Sequence, residues 1–178
     1  MEHDDLRYPI GQFARPGSIT PGLVKNWLRK IAELPADLRA VVGPMSTEQL
    51  ETPYRPGGWC VRQVVHHIAD SHTNSFVRFK WALTEERPTI KAYHEDRWAE
   101  LPDYVDVPVE TSLAFIAVLH ERWVLLLRGL GAEELAREFV HPETGTVRLD
   151  TNIGIYAWHG RHHLAHITRL IERKGWVF

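Results

Sequence analysis

Between Trp59 and about Glu85 the chain keeps one helical period without a break, with Val61, Val64, Val65, Ile68, His72, Phe76, Phe79 and Leu83 recurring at steps of three and four. A stripe of that length and period cannot be a strand, and a helix that buries one stripe needs other elements to cover it. Three further stretches qualify. Thr20 reads as a cap with Pro21 at the first helical position, followed by Leu23, Val24, Trp27, Leu28 and Ile31. Pro35 interrupts this pattern and Leu38, Val41 and Val42 resume it, so a kink or a restart is expected before Gly43-Pro44. Leu113, Phe115, Ile116, Leu119, Trp123, Leu126 and Leu127 mark a third helix over about Val109 to Leu130. A fourth is expected to be capped by Asp150 or Thr151 and to end near Lys174-Gly175. The expectation is an all-α fold, a four-helix bundle in a single domain over residues 1–178.

The connections carry different signals. Pro88 to Val107, with Tyr93, Trp98 and Tyr104, reads as a long crossover packed on the surface or over a cleft. Val140-His141-Pro142-Glu143-Thr144-Gly145-Thr146-Val147 reads as a turn or hairpin, with His141 as a loop residue. From Asp4 to Ser18, Pro9, Gly11, Pro16 and Gly17 interrupt Tyr8, Ile10 and Phe13, as in a short arm laid over the body.

The fourth helix carries the chemistry. His159, His162, His163 and His166 lie within eight positions, and each ring brings two nitrogens that need partners once buried. At about 100° per residue they fall at roughly 0°, −60°, 40° and −20°, while Ile153, Tyr156, Leu164, Ile167, Leu170 and Ile171 centre a buried face at roughly 80°. His159 and His163 lie nearest that face, and their i, i+4 spacing lets two imidazoles converge on one ion. His162 and His166 sit further round, toward solvent or an outer ring of hydrogen bonds. On the second helix His72 falls in the apolar stripe, as a hydrogen-bonded core histidine does; His66 points toward solvent. Spacing alone leaves His67 undecided.

Composition narrows the classes. The formal charge is −2, and no block of like charge marks a nucleic-acid or anionic-membrane surface. Without an 18-residue apolar run or a signal-like N-terminus, the expected location is the cytoplasm. Cys60 is the one cysteine, so any metal must be held by histidines and carboxylates.

Three motifs, Tyr54-Arg55-Pro56-Gly57-Gly58-Trp59, Val64-Val65-His66-His67-Ile68-Ala69-Asp70-Ser71-His72 and Tyr156-Ala157-Trp158-His159-Gly160-Arg161-His162-His163, resemble the YfiT-type metal-dependent hydrolases of the DinB superfamily. The similarity runs from about Tyr8 to Trp176. It implies a DinB/YfiT-type bundle in which His67, His159 and His163 bind one divalent metal per subunit, and a homodimer, for which the 7 Trp residues are a weak second argument. Three neutral His ligands leave a coordination position open, the catalytic pattern for zinc, and nickel also suits imidazole.

The implied function is hydrolysis of a small-molecule substrate through a metal-activated bound water. No catalytic residue beyond the metal is assigned. Asp70, His162 and His166 are near enough in sequence to act as a base or to orient the ligands. The alternative is a metal-dependent transferase of a low-molecular-weight thiol of the bacillithiol or mycothiol type, ionised by the same site. A third reading is a non-catalytic metal-binding stress protein. The wall of the cleft separates the first two, because a thiol bearing sugar and carboxylate groups needs Arg or Lys and hydrogen-bond donors there.

Overall fold

The computed structural model describes residues 6–178. Four long helices, α1 (Pro21–Val42), α3 (Val61–Thr84), α6 (Val109–Arg128) and α8 (Leu149–Lys174), make the bundle. The short helices α2 (Thr47–Leu50), α4 (Glu95–Trp98), α5 (Asp103–Asp106) and α7 (Ala132–Ala136) lie in the connections. α1 and α3 each pack on α6 and on α8, so helices consecutive in sequence, α1 with α3 and α6 with α8, stand on the diagonals. This order differs from an up-down-up-down ring, and the crossover from α3 to α6 spans one side of it.

Thr20 caps α1 by accepting from the Leu23 amide at 3.2 Å, and α1 runs through Pro35 as one helix without a restart. Gly175, at φ 63, closes α8 in the left-handed conformation that glycine adopts without penalty. The start of α8 differs from expectation. Leu149 already begins the helix, and Asp150 sits inside its first turn, bound to Arg148 at 2.7 Å and accepting from the Thr151 amide at 2.6 Å. The preceding strand fixes this start. β1 (Glu138–His141) and β2 (Gly145–Arg148) form an antiparallel hairpin, Glu138 opposite Arg148, so the chain leaves β2 directly into the helix. The fold is therefore mostly helical with one small hairpin added. No described helix is long and apolar enough to cross a membrane.

Two apolar clusters fill the bundle. One holds Leu38, Val64, Ile68, Leu113, Ile116 and Ile167; the other holds Trp27, Ile31, Phe79, Trp123, Leu127 and Ile153. Between them, at one level, α3, α6 and α8 contribute His72, His120 and His159. Glycine brings α1 close to α8 on either side of this layer: a Cβ on Gly154 would stand 2.8 Å from Trp27, and one on Gly160 would run into Leu34. Arg161 of α8 pairs with Glu33 and Asp37 of α1 alongside.

The arm is fastened to α8, as far as it is described; Asp4 and Asp5 fall outside the described residues. The Trp158 indole N–H donates to the Gly11 carbonyl at 3.0 Å, Phe13 packs on Trp27, and Tyr8 lies against His162. The crossover is pinned to α3 by Gln63 donating to the Ala99 carbonyl and Arg62 donating to the Val107 carbonyl.

Candidate metal centre

His67, in the second turn of α3, and His159 and His163, one turn apart on α8, bring one ring nitrogen each to within 4.8 Å of one another. The His67 and His159 Nε2 atoms are 3.2 Å apart. Two nitrogens on a tetrahedral ion at about 2.0 to 2.1 Å stand about 3.3 Å apart along one edge, so this separation suits a shared zinc-like ion. The rings meet His163 on edge, with centroids at 4.8 Å from His67 and 4.5 Å from His159. Burial holds His67 down to about 4, and holds His159 and His163 well below the ordinary histidine value. All three are neutral at pH 7, the form that ligates. The donor set therefore fits a divalent ion of the zinc or nickel type.

The other histidines divide into two groups. His72 is fully buried, with Nδ1 2.9 Å from His120 Nε2 and Nε2 3.1 Å from His159 Nδ1. His162 and His166 are buried too, which excludes the solvent-facing of the two placements expected for them and agrees with the outer ring. Trp158 stacks on His162, Tyr54 stacks on His166 at 3.9 Å, and His166 Nε2 donates to the Arg7 carbonyl at 3.1 Å. The arm and the loop before α3 cover that face of α8, which helical periodicity left open. With His163, these two form a second cluster of close ring nitrogens. The Nδ1 atoms of His67, His162, His163 and His166 are all buried without a partner among the described residues.

His66 also departs from expectation. It is buried, Nδ1 lies 2.7 Å from Ser112 Oγ, and the ring meets the edge of Tyr104. The crossover covers the face of α3 that would otherwise look outward. Asp70 is turned to that crossover, accepting from the Tyr104 hydroxyl at 2.6 Å, and it does not line the cleft.

The rings open on a cleft of about 570 Å³. One wall is the loop Tyr54 to Trp59, where the Tyr54 amide donates to the Trp59 carbonyl and Gly57, at φ 65, makes the turn. A Cβ on Gly58 would press within 2.7 Å of Arg55, so Gly-Gly lets the loop fold tightly and set Trp59 4.7 Å from the His67 ring. The crossover adds Tyr93, Glu95 and Asp96, the arm adds Arg7 and Tyr8, and Ser71 sits 3.4 Å from His159 Nε2. Tyr93 belongs to the crossover expected over a cleft, whereas Arg7, Glu95 and Asp96 gave no signal in the sequence, because the arm and the crossover carry no period. A larger groove of about 1160 Å³, at the start of α1 and the end of α6, has no histidine in its lining.

A bundle with a histidine-floored cleft defines a class, and comparison with known proteins identifies it. Residues 30–167 match the family model of the DinB superfamily, and the chain belongs to that family. It is 54% identical over 173 residues, 97% of this chain and 99% of the other, to a Bacillus cereus protein named "Putative metal-dependent hydrolase". A Bacillus mycoides protein of the same description is 54% identical over 172 residues, again covering 97% and 99% of the two chains. Among solved structures, YfiT from Bacillus subtilis superposes with a TM-score of 0.95 at 47% identity, over 97% of this chain and 99% of its own. It is described as "a probable metal-dependent hydrolase with an unusual four-helix bundle topology".

Proposed function

We propose that the protein is a metal-dependent hydrolase in which His67, His159 and His163 hold one divalent ion at the floor of the cleft. The convergence of three neutral imidazoles from two helices carries the reading; the names of the relatives support it. An ion held there supplies Lewis acidity, polarising a carbonyl and acidifying water. The remaining chemistry falls to this chain's residues. Glu95 and Asp96 put carboxylates in the wall, which the segment His159 to His163 lacks, and they are the groups able to take a proton there. Trp59, Trp158 and Tyr93 narrow the opening and limit water. His166 spends its Nε2 proton on the Arg7 carbonyl, leaving Nδ1 as an acceptor toward neighbouring rings or substrate.

The cleft wall also favours the second reading, transfer of a low-molecular-weight thiol. Arg7 and Arg55 stand in it beside the hydroxyls of Tyr8, Tyr54 and Tyr93, the donors that a thiol with carboxylate or sugar groups requires. Metal coordination removes a thiol proton without a protein base. The test runs metal-stripped and zinc- or nickel-reloaded protein against an ester and amide panel, and beside it a thiol with monochlorobimane. Hydrolysis that returns with the metal and is lost in His163→Ala supports the first reading; turnover of the thiol pair alone replaces it with the second.

The proposed assembly is a homodimer of a cytoplasmic protein that binds neither nucleic acid nor membrane. Phe115, Val118 and Leu125 form an exposed apolar row on α6, with Trp81 exposed on the neighbouring α3, and such a row suits a second copy of the chain. A dimer mass by light scattering at micromolar concentration is expected, and a monomer mass contradicts it.

A further inference from the structure

We infer that His120 and His72 are positioning residues that fix which nitrogen of His159 faces the cleft, through a chain of hydrogen bonds starting at the Ile31 carbonyl. The chain begins with Pro35. A proline has no N–H to return to the carbonyl four residues earlier, so Ile31 O in α1 is open to an outside donor. His120 Nδ1 lies 2.8 Å from it. A carbonyl only accepts, so His120 carries its proton on Nδ1, and in the neutral ring Nε2 is then an acceptor. That Nε2 is 2.9 Å from His72 Nδ1, which must therefore donate, leaving His72 Nε2 to accept from His159 Nδ1 at 3.1 Å. The lone pair of His159 is thereby left on Nε2, the atom 3.2 Å from His67.

Each link admits one direction, and the direction is set by a backbone atom three rings away. The rings are also held in orientation. His72 and His120 lie side by side and nearly coplanar, with planes 12° apart and centroids 5.0 Å apart, as an in-plane N–H···N bond requires, and Trp123 and Tyr156 stand edge-on to His72 at 85° and 80°. No carboxylate contacts His72 or His120 among the described residues, so the backbone carbonyl replaces the acid that commonly orients a metal-ligating histidine. This inference rests on His159 being a ligand, as proposed above. The tautomers it fixes belong to the metal-free protein and can be read without an ion.

Long-range proton–nitrogen correlation spectra of metal-free protein labelled with ¹⁵N-histidine test it. His120, His72 and His159 are each expected as the Nδ1–H tautomer, the one that free histidine disfavours in water; an Nε2–H tautomer at any of the three overturns the inference. In His120→Leu, His159 is expected to gain Nε2–H and zinc affinity to fall about 10- to 100-fold. His120→Gln, whose amide oxygen can accept from His72 while its nitrogen donates to Ile31, is expected to stay within about 3-fold of the parent. A folded His120→Leu with an unchanged His159 tautomer and unchanged zinc affinity also overturns it. Should His120→Leu not fold, the parent spectrum decides alone. Parent protein that binds no zinc while showing the three Nδ1–H tautomers would remove the metal reading and keep the hydrogen-bonded chain.

Discussion

The histidine layer has a sealed side and an open side, and they obey different rules. On the sealed side His72 and His120 have both nitrogens partnered, deep between the two apolar clusters. On the open side His67, His162, His163 and His166 are buried too, though less completely, and each keeps an Nδ1 without a partner among the described residues. A buried imidazole nitrogen left unpaired costs on the order of 1 to 3 kcal/mol, and these four rings all line one cleft. His159 belongs to both sides, with Nδ1 in the sealed chain and Nε2 in the cleft. Burial alone thus does not separate structural from functional histidines here, and neither does one unpaired nitrogen, since His66 outside the cleft also buries an Nε2 without a partner among the described residues; what sets the open side apart is that its rings share the lining of one cleft.

The largest expected effect breaks the open side. His163→Ala removes one of three converging nitrogens, and zinc content after dialysis is expected to fall from about one ion per chain to background, with thermal stability of the metal-free protein little changed. Next comes the sealed side. His72→Leu leaves His120 Nε2 and His159 Nδ1 without partners, and a loss of about 2 to 4 kcal/mol in denaturant unfolding is expected even without metal. An unchanged unfolding midpoint would remove the distinction between the two sides.

These residues also show what the sequence could reveal. The long helices were legible because each repeats apolar residues at 3.6 over twenty or more positions, and the pairing of His159 with His163 followed from their place on the face. His67 rested mainly on the resemblance. The order of helices around the bundle was not legible, because periodicity says which face is buried and not against which neighbour. For the same reason His66 was expected too far outward, and for His162 and His166 the choice between solvent and an outer ring stayed open: the crossover, the arm and the Tyr54–Trp59 loop cover them, and loops carry no period. His120 drew no reading from the sequence, and Pro35 was expected only as a kink or a restart. Their connection appears only when α1 and α6 are side by side.

The pH dependence sharpens the comparison further. Burial pushes His120 down to about 4, whereas an unfolded histidine titrates near 6.5. Below 6.5 the unfolded chain binds a proton that the folded chain refuses, so stability is full above about 6.5 and is lost as pH falls toward 4, by about 1.4 kcal/mol per unit for each such group. Metal-free protein unfolded in urea from pH 7.5 to 4.5 should follow this slope, and His120→Gln should flatten it by one proton. The smallest effect is at the margin of the open side. His162 packs beside the three candidate ligands without belonging to that trio, so His162→Ala is expected to weaken zinc binding by no more than about 10-fold. A loss equal to that of His163→Ala would move the centre to the second cluster, His162, His163 and His166.

X-ray absorption at the zinc edge, on protein loaded with one equivalent of zinc, addresses the centre itself. Three imidazole nitrogens at about 2.0 to 2.1 Å, with the outer scattering of their rings and one oxygen ligand besides, is the result expected from His67, His159 and His163. A first shell of oxygen without imidazole scattering, or a spectrum unchanged in His159→Ala and His163→Ala, would contradict a three-histidine metal centre.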